Sequence, residues 1–333
     1  MKKRVCVVDT YYALAMYCIL SSVQAIKDTQ FFAGETIKDD VRLPHIIRFK
    51  QGQFSCCGEF NLIRYCVLLY HRIRFWVLNR GYLGNSHIYA QDHLWFSSRL
   101  LCRNKYILLE DGPGCFASIK TVRFLTPKRN PTSLRARISR LLFWGPIFCE
   151  TFGTNPYCKC RLFTFAGDRN SEYLTGRKHR QLDLQKAWKL SSTNKKEYFK
   201  NIFGIKDSLI NLLEAQETII FTQPFVTDCN LTEGEVIALY RPYIMKYAAQ
   251  GVAIKPHPRD NINWKMFFPD VELVRTSVPM QVLNLICKPP KRAITICSSS
   301  VSSMPSETKI IWIGSRIDNR IYRVYGDVAC PVC

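Results

Sequence analysis

The sequence lacks the motifs of several large enzyme classes. It contains no G-x-x-x-x-G-K-[ST] and no G-x-G-x-x-G pattern, which argues against a P-loop nucleoside triphosphatase and a dinucleotide-binding enzyme. It also has no run of about 18 consecutive apolar residues, so we expect no transmembrane helix. The basic and apolar N-terminus imitates a signal peptide, but Asp9 interrupts the apolar stretch and no convincing cleavage site follows. The segment "KRVCVVDT" is better interpreted as a first β-strand.

Acidic residues are scarce: 26 Asp and Glu stand against 47 Lys and Arg, giving a net charge of +21. Such an excess favours anionic partners, namely nucleic acid, an acidic membrane surface or phosphorylated small molecules. Residues 120–149 include seven basic residues and no acid, with apolar residues at helical spacing. This pattern predicts a basic amphipathic helix, which either lies on an anionic membrane or packs its apolar face on the core.

The 15 cysteines follow no regular framework, and their number is odd. No pair of C-x-x-C units occurs at the spacing of a zinc ribbon, so we expect no structural metal. Reduced thiols, mostly buried as small apolar side chains, fit a cytosolic protein.

Short β-type runs alternate with segments of helical spacing along most of the chain. "RVCVVD", "IIRF", "SHIYA" and "YILLED" indicate strands in the first part, and "IIF", "VAI", "VELV", "RAITI" and "KIIWIG" indicate strands in the second. Strands separated by helices are typical of parallel, Rossmann-like sheets. With a polar connection at about residues 167–180, the pattern predicts an α/β protein of two domains, 1–180 and 181–333.

Three predicted strand ends carry candidate functional residues. In "YILLEDGPG", Glu110 and Asp111 end a predicted strand just before a glycine turn, where a carboxylate is either a general base or an ordinary turn residue. In "IKPHPRD" two prolines flank His257, which either contacts a phosphate near neutral pH or lies in a surface turn. "TICSSS" opens into Ser298 and Ser299, whose hydroxyls and amides cradle a phosphate or form a plain loop.

In this order, the segments resemble glycosyltransferase family 52, bacterial enzymes of lipooligosaccharide assembly best represented by α-2,3-sialyltransferases. The matching pieces are "VVDTYYAL", "IYAQDHLWFSSRLL", "YILLEDG", "LDLQKAW", "IIFTQPF", "IKPHPRD", "FFPDVELV", "VPMQVL" and "TICSSS". The resemblance implies a GT-B fold, with two Rossmann-like domains facing across a cleft. It also implies inverting transfer of sialic acid from CMP-sialic acid to a terminal galactose of lipooligosaccharide or of a capsular or surface glycan. The absence of D-x-D fits a reaction without metal or cofactor.

The resemblance also assigns roles to individual residues. Domain 1–180 is expected to bind the acceptor and domain 181–333 the nucleotide sugar. Asp111 is the favoured base, with Glu110 and Asp228 as alternatives, and His257 stabilises or protonates the departing phosphate. The donor nucleotide and its phosphate are assigned to Lys255, Gln281, Ser298, Ser299 and Gln223, and the sugars to Thr10 and Gly112. Arg259 and Asp260 receive no role beyond the scaffold.

Two departures from the family pattern keep other interpretations open. Gln281 stands where the family usually has glutamate, and "DTYYAL" replaces the usual opening "T-P-x-Q". An α-glucosyltransferase using another nucleotide sugar, or a family member without turnover, therefore remains an alternative. A basic nucleic-acid-binding protein is a further alternative, although no recognised nucleic-acid module is present and we expect no nucleic acid partner.

The expected location is the cytoplasm, at the inner face of the cytoplasmic membrane. The partners expected there are a lipid-linked oligosaccharide acceptor, the anionic membrane surface and a second copy in a homodimer.

Overall fold

The computed structural model describes residues 3–49, 62–79, 86–110, 153, 155–164, 178–257, 259–298, 300–301, 304–328 and 330. The chain divides into two compact units, unit 1 from Met1 to Gly204 and unit 2 from Ile205 to Cys333. Within the described ranges, no helix has both the length and the hydropathy needed to cross a bilayer. The basic stretch at 120–149 and the greater part of the predicted connection at 167–180 lie outside these ranges.

In the described residues of unit 1, seven strands form one sheet in which every strand pairing is parallel. The strand order is β3-β2-β1-β4-β5-β6-β7. The strands are β1 (Lys3–Val8), β2 (Thr29–Ala33), β3 (Ile46–Arg48), β4 (Ser86–Ala90), β5 (Tyr106–Leu109), β6 (Cys158–Phe163) and β7 (His179–Gln181). The helices are α1 (Tyr11–Leu20), α2 (Val23–Lys27), α3 (Leu62–Asn79), α4 (Ser98–Leu101), α5 (Leu184–Lys189) and α6 (Thr193–Phe203).

The central strands of unit 1 are buried apolar runs, as expected for a parallel sheet covered on both faces. In β1 the four residues from Val5 to Val8 are fully buried. Helix α3 packs on this sheet through Phe75, whose ring centre lies 4.8 Å from that of Phe32 on β2. Burial of aromatic and β-branched side chains therefore holds unit 1 together.

Unit 1 ends later along the chain than the predicted boundary after residue 180. Residues 179–181 form β7, the strand paired with β6, so they belong to the sheet rather than to a connection. Helix α5 contacts α1, and the Tyr11 and Phe203 rings lie 6.3 Å apart, so both later helices pack on unit 1. Gly204, in the left-handed conformation (φ 61°), caps α6 and marks the end of the unit.

The described part of unit 2 forms a five-stranded parallel sheet of order β10-β9-β8-β11-β12. The strands are β8 (Thr218–Phe221), β9 (Val252–Lys255), β10 (Glu272–Leu273), β11 (Arg292–Thr295) and β12 (Lys309–Trp312). The helices are α7 (Asp207–Glu214), α8 (Phe225–Cys229), α9 (Glu233–Tyr247), α10 (Trp264–Phe267), α11 (Met280–Ile286) and α12 (Asn319–Tyr325). Two parallel sheets interleaved with helices confirm the α/β class predicted from the sequence.

The core of unit 2 surrounds the middle of its sheet. Ile220, Ile254 and Ile294 occupy the centres of three adjacent strands and are fully buried. Trp264 of α10 is also fully buried and meets the ring of Tyr240 edge-on, with ring centres 5.6 Å apart. This core fixes the strands whose carboxyl ends carry the candidate residues, and ligands of open α/β sheets bind at such ends.

Candidate active site

Thr10 lies at the carboxyl end of β1 and is held by a residue that the sequence did not single out. Gln91, directly after β4, accepts the N–H groups of Asp9 (2.5 Å) and Thr10 (3.2 Å) through Oε1 and donates from Nε2 to Thr10 Oγ1 (3.1 Å). Gln91 is 1% exposed. The sequence signal was its position, since it follows a strand that neighbours β1 in the sheet. Gln91 therefore orients the loop that presents Thr10.

Glu110, at the carboxyl end of β5, is buried and bonded to the end of the neighbouring strand β6. Its Oε2 accepts the Thr164 N–H at 2.8 Å and the Thr164 hydroxyl at 2.9 Å. The hydroxyl of Tyr12 lies 2.6 Å from Thr164 Oγ1. These bonds give Glu110 the role of joining two strand ends. Asp111 and Gly112, the residues predicted beside it, lie outside the described residues.

His257 follows β9 in unit 2, and its main chain is held from both sides. Its N–H donates to Thr222 Oγ1 at 3.3 Å, and its carbonyl accepts the N–H of Asp260 at 2.8 Å. The Thr222 hydroxyl in turn donates to Asp260 Oδ2, which also accepts the indole N–H of Trp264 at 3.1 Å. Asp260 therefore fixes the His257 segment to the residue after β8 and to the first residue of α10.

The His257 ring is in contact with the residue that follows the second proline of the motif. The Arg259 N–H donates to His257 Nδ1 at 3.2 Å. Partial burial, and then the charge of Arg259, lower the pKa of His257, while Asp228 and Asp260 oppose the shift. The neutral ring is therefore favoured near pH 7, and because Nδ1 accepts a hydrogen bond, the proton belongs on Nε2. His257 is thus set to donate from Nε2.

Asp228, on α8, has both carboxylate oxygens engaged. Arg259 binds it through two bonds of 2.8 Å, one to each oxygen, and the hydroxyl of Tyr325 on α12 donates to Oδ2 at 2.8 Å. The hydrogen bond from Arg259 is the main cause that lowers the pKa of Asp228. A carboxylate with a lowered pKa is a weak base, so this geometry favours an anchoring role over proton abstraction.

The remaining donor-side candidates lie on the same edge of the unit 2 sheet. Lys255 ends β9 and donates from Nζ to the Thr276 carbonyl at 3.4 Å; burial of its ammonium lowers the pKa to about 8. After β11, the buried Ser298 donates its N–H to Thr295 Oγ1 at 3.0 Å and accepts the Ser300 N–H at 3.3 Å. These strands are adjacent to β8, so the sheet brings Lys255, His257 and Ser298 to one edge.

The other predicted residues on this side are less closely defined. Gln223 follows β8 by two residues and is half-buried, and its carbonyl accepts the N–H of Phe225 at 2.8 Å. Gln281 is half-buried in the first turn of α11. Ser299 lies outside the described residues. Among the residues that were searched, no group of three or more His, Cys, Asp or Glu side chains could hold a metal ion.

Sialyltransferases are among the known structures that share the fold. Sialyltransferases from Photobacterium damsela and Photobacterium phosphoreum, the latter an alpha/beta-galactoside alpha-2,3-sialyltransferase, each have a TM-score of 0.59 over 97% of this chain, at 12% and 11% identity. The match covers 79% and 94% of their chains, respectively. The GT-B domain of a Photobacterium damselae sialyltransferase has a TM-score of 0.57 at 13% identity, over 92% of this chain and 89% of its own. At these identities the likeness concerns the fold, and it confirms the predicted GT-B type.

Sequence comparison agrees with the family resemblance that the motifs indicate. An uncharacterized protein of Haemophilus influenzae is 27% identical over 257 residues, which is 77% of this chain and 78% of that protein. The family model described as glycosyltransferase family 52 matches residues 78–314, well over half of the chain. The arrangement of the two units around a cleft stays a prediction. The chain belongs to glycosyltransferase family 52.

Proposed function

We propose that this glycosyltransferase is an inverting, metal-independent sialyltransferase that moves sialic acid from CMP-sialic acid to a terminal galactose. The observation that carries the proposal is the edge of the unit 2 sheet, where Lys255, His257 and Ser298 lie at or just after the carboxyl ends of the two strands that flank β8. An ammonium, an imidazole Nε2–H and a hydroxyl together suit a phosphate monoester such as the leaving CMP. Cationic and neutral donors would stabilise its charge without a metal ion.

In this mechanism the oxygen of an acceptor hydroxyl attacks the anomeric carbon of the donor. The bond from that carbon to the CMP phosphate oxygen breaks, and a carboxylate takes the hydroxyl proton. Negative charge then develops on the phosphate, where the Nε2–H of His257 and the ammonium of Lys255 stabilise it. Because the lowered pKa of His257 favours its neutral form, hydrogen-bond donation suits this residue better than full proton transfer.

Asp111 is the proposed base. The two alternatives already have other roles, because Glu110 is bonded to Thr164 and Asp228 to Arg259. Asp111→Asn should therefore lower kcat by roughly 10²–10⁴-fold, whereas Asp228→Asn should retain measurable turnover. Near-normal turnover of Asp111→Asn together with an inactive Asp228→Asn would contradict this assignment.

The donor is tested by thermal unfolding with CMP, UDP and GDP, followed by an assay for CMP release from CMP-sialic acid. A ligand at 100 times its Kd stabilises the native state by about 2.7 kcal/mol, so the nucleotide that binds should stand out. We expect a shift with CMP and CMP release by the wild-type protein. A shift with UDP alone would instead favour the second candidate, another nucleotide-sugar donor. The observation that favours this candidate is Gln281, which replaces the usual family glutamate and lacks its charge.

For the acceptor and location we propose a lipid-linked oligosaccharide of the lipooligosaccharide type, reached by peripheral binding to the anionic cytoplasmic face of the inner membrane. The net charge of +21 supports this proposal. Liposome flotation with and without anionic lipid tests it: binding should require the anionic lipid and weaken with salt. Failure to float with anionic vesicles at low salt would refute the membrane proposal without affecting the donor proposal. Homodimer formation is a separate proposal, tested by light scattering.

A further inference from the structure

We propose that Arg259, Asp228 and Tyr325, here called the Arg259 anchor, fix the imidazole orientation and tautomer of His257. The inference rests on the proposed role of His257 at the donor phosphate. It assigns a positioning function to Arg259 and Tyr325, neither of which was a candidate from the sequence. It also gives Asp228 a role other than that of a base.

Hydrogen bonds connect α12 to the His257 ring by way of Asp228 and Arg259. The Tyr325 hydroxyl donates to Asp228 Oδ2 at 2.8 Å. Arg259 donates to both oxygens of Asp228 at 2.8 Å, a two-pronged geometry that restrains the arginine more than a single bond would. The backbone N–H of Arg259 then donates to His257 Nδ1 at 3.2 Å. The side-chain pair therefore restrains the backbone group that contacts the ring.

Apolar packing supports the far end of the anchor. The ring of Tyr325 meets that of the fully buried Phe225 edge-on, with centres 5.7 Å apart. Phe225 begins α8, the helix that also carries Asp228. The hydroxyl of Tyr325 is thus placed by packing and not only by its bond to the carboxylate.

The chemical consequence concerns which ring nitrogen presents a proton. An imidazole that accepts at Nδ1 carries its proton at Nε2 when neutral, so only Nε2 donates to a phosphate oxygen. If the ring rotated or adopted the other tautomer, an acceptor nitrogen would face the phosphate. The anchor prevents this by holding a donor against Nδ1.

The test measures the His257 ring directly, in the free protein. Full-length protein with ¹⁵N-labelled histidine contains six histidines, and a His257→Gln variant assigns the signal. The ¹⁵N shifts of the two ring nitrogens report which one carries the proton and whether the other accepts a hydrogen bond. In the wild-type protein at a pH where the ring is neutral, we expect a protonated Nε2 and a hydrogen-bonded Nδ1.

Arg259→Ala keeps the backbone N–H of residue 259 but releases it from Asp228, so it should weaken the hydrogen-bond signature at Nδ1 and produce a mixture of tautomers. Tyr325→Phe, which changes one oxygen atom and keeps the packing with Phe225, should produce a smaller change in the same direction. The matched control is Arg316→Ala. Arg316 precedes α12 and forms a similar two-pronged pair with Asp327, which follows α12, through bonds of 3.2 and 2.7 Å. This control should leave the His257 shifts at their wild-type values. Unchanged shifts in both anchor variants would overturn the proposal, as would a wild-type ring protonated at Nδ1.

Activity gives a second readout. Arg259→Ala should lower kcat by roughly tenfold to a hundredfold, the cost of a misplaced catalytic group, while the Kd for CMP changes far less. A loss confined to CMP affinity would contradict a positioning role. If the wild-type protein neither binds CMP nor releases it from CMP-sialic acid, the proposed function fails, yet the ring shifts still decide whether the anchor orients His257.

Discussion

Raising the pH above about 8 should remove the charge of Lys255 and weaken nucleotide binding. Burial of the ammonium lowers the pKa of this lysine to about 8, so in the free protein the side chain loses its proton near the upper end of the physiological range. A bound phosphate favours the charged form and raises the pKa again. Between these two pKa values, each pH unit should therefore weaken CMP binding by about tenfold.

Isothermal titration calorimetry with CMP between about pH 7 and pH 9.5 measures this slope, because the phosphate, with a second pKa of about 6, stays doubly charged throughout. Lys255→Arg should flatten the profile, since a guanidinium keeps its charge over the whole range. Lys265→Arg is the control: Lys265 is an exposed lysine of α10 that donates to the carbonyl of Pro269, and this variant should retain the slope. An identical slope in Lys255→Arg would refute the reasoning.

The burial of Lys255 predicts the opposite pH dependence for the stability of the protein, which should increase as the pH rises. A lysine whose pKa is lowered in the folded state destabilises the protein below that pKa, and the penalty disappears as the pH rises from about 8 to 10.5. Lys255→Met should therefore raise the free energy of unfolding at pH 7 by about 1–2 kcal/mol. The gain is limited to this range because the lysine is partly exposed and keeps some solvation. The same substitution should weaken CMP binding, because it removes the positive charge. Unfolding in urea at pH 7 and near pH 10 checks the sign. A variant that is less stable than the wild-type protein at pH 7 would contradict the desolvation argument.

Two further predictions concern stability. A Cβ at Gly34 would lie 1.9 Å from Asp9 Oδ1, so Gly34→Ala should destabilise the protein by about 1–3 kcal/mol in thermal unfolding. The control is Gly234→Ala at the start of α9, where a Cβ would meet nothing within 4 Å. This control should be neutral or stabilising in the same measurement. The pKa of Glu235 is lowered to about 2, mainly by Arg320, so its contribution to stability is present above its unfolded pKa and is lost as the pH falls towards 2. Glu235→Gln should therefore flatten the acid side of the stability profile, and an unchanged profile would contradict this assignment.

The strands of both sheets were predictable where they are apolar runs ending in turn residues. The β8 sequence "TIIF" is fully buried, and such runs identify the central strands of a parallel sheet. Strands β2, β6 and β7 were missed: the apolar part of "TQFFA" is only three residues long, and "CKCRLF" and "HRQ" are mixed or polar. In β6 the arginine Arg161 is buried because its guanidinium donates to the Gly153 carbonyl at 2.8 Å, a contact between residues that no local pattern links. Because β6 and β7 complete the unit 1 sheet, missing them also placed the predicted domain boundary too early in the chain.

At the candidate site, the sequence predicted the residues at strand ends but not the contacts that hold them. Lys255, His257 and Ser298 follow from their positions after apolar runs, because parallel strands bring their carboxyl ends to one edge. The bond between Thr222 and His257 joins residues that follow two different strands, and Tyr325 reaches Asp228 from another helix far along the chain. Such pairs depend on the tertiary fold, so a pattern read along one segment does not indicate them.

The position of Tyr325 ties the placement of His257 to the completion of unit 2. Helix α12 follows every strand of unit 2 in the chain, and its residue Ile321 is fully buried in the core around the sheet. Because domains generally fold as units, the core is complete only when α12 has docked. The docking that completes the core is therefore also the step that brings the tyrosine hydroxyl to Asp228. A chain that has not docked α12 would lack both a complete core and a correctly held histidine.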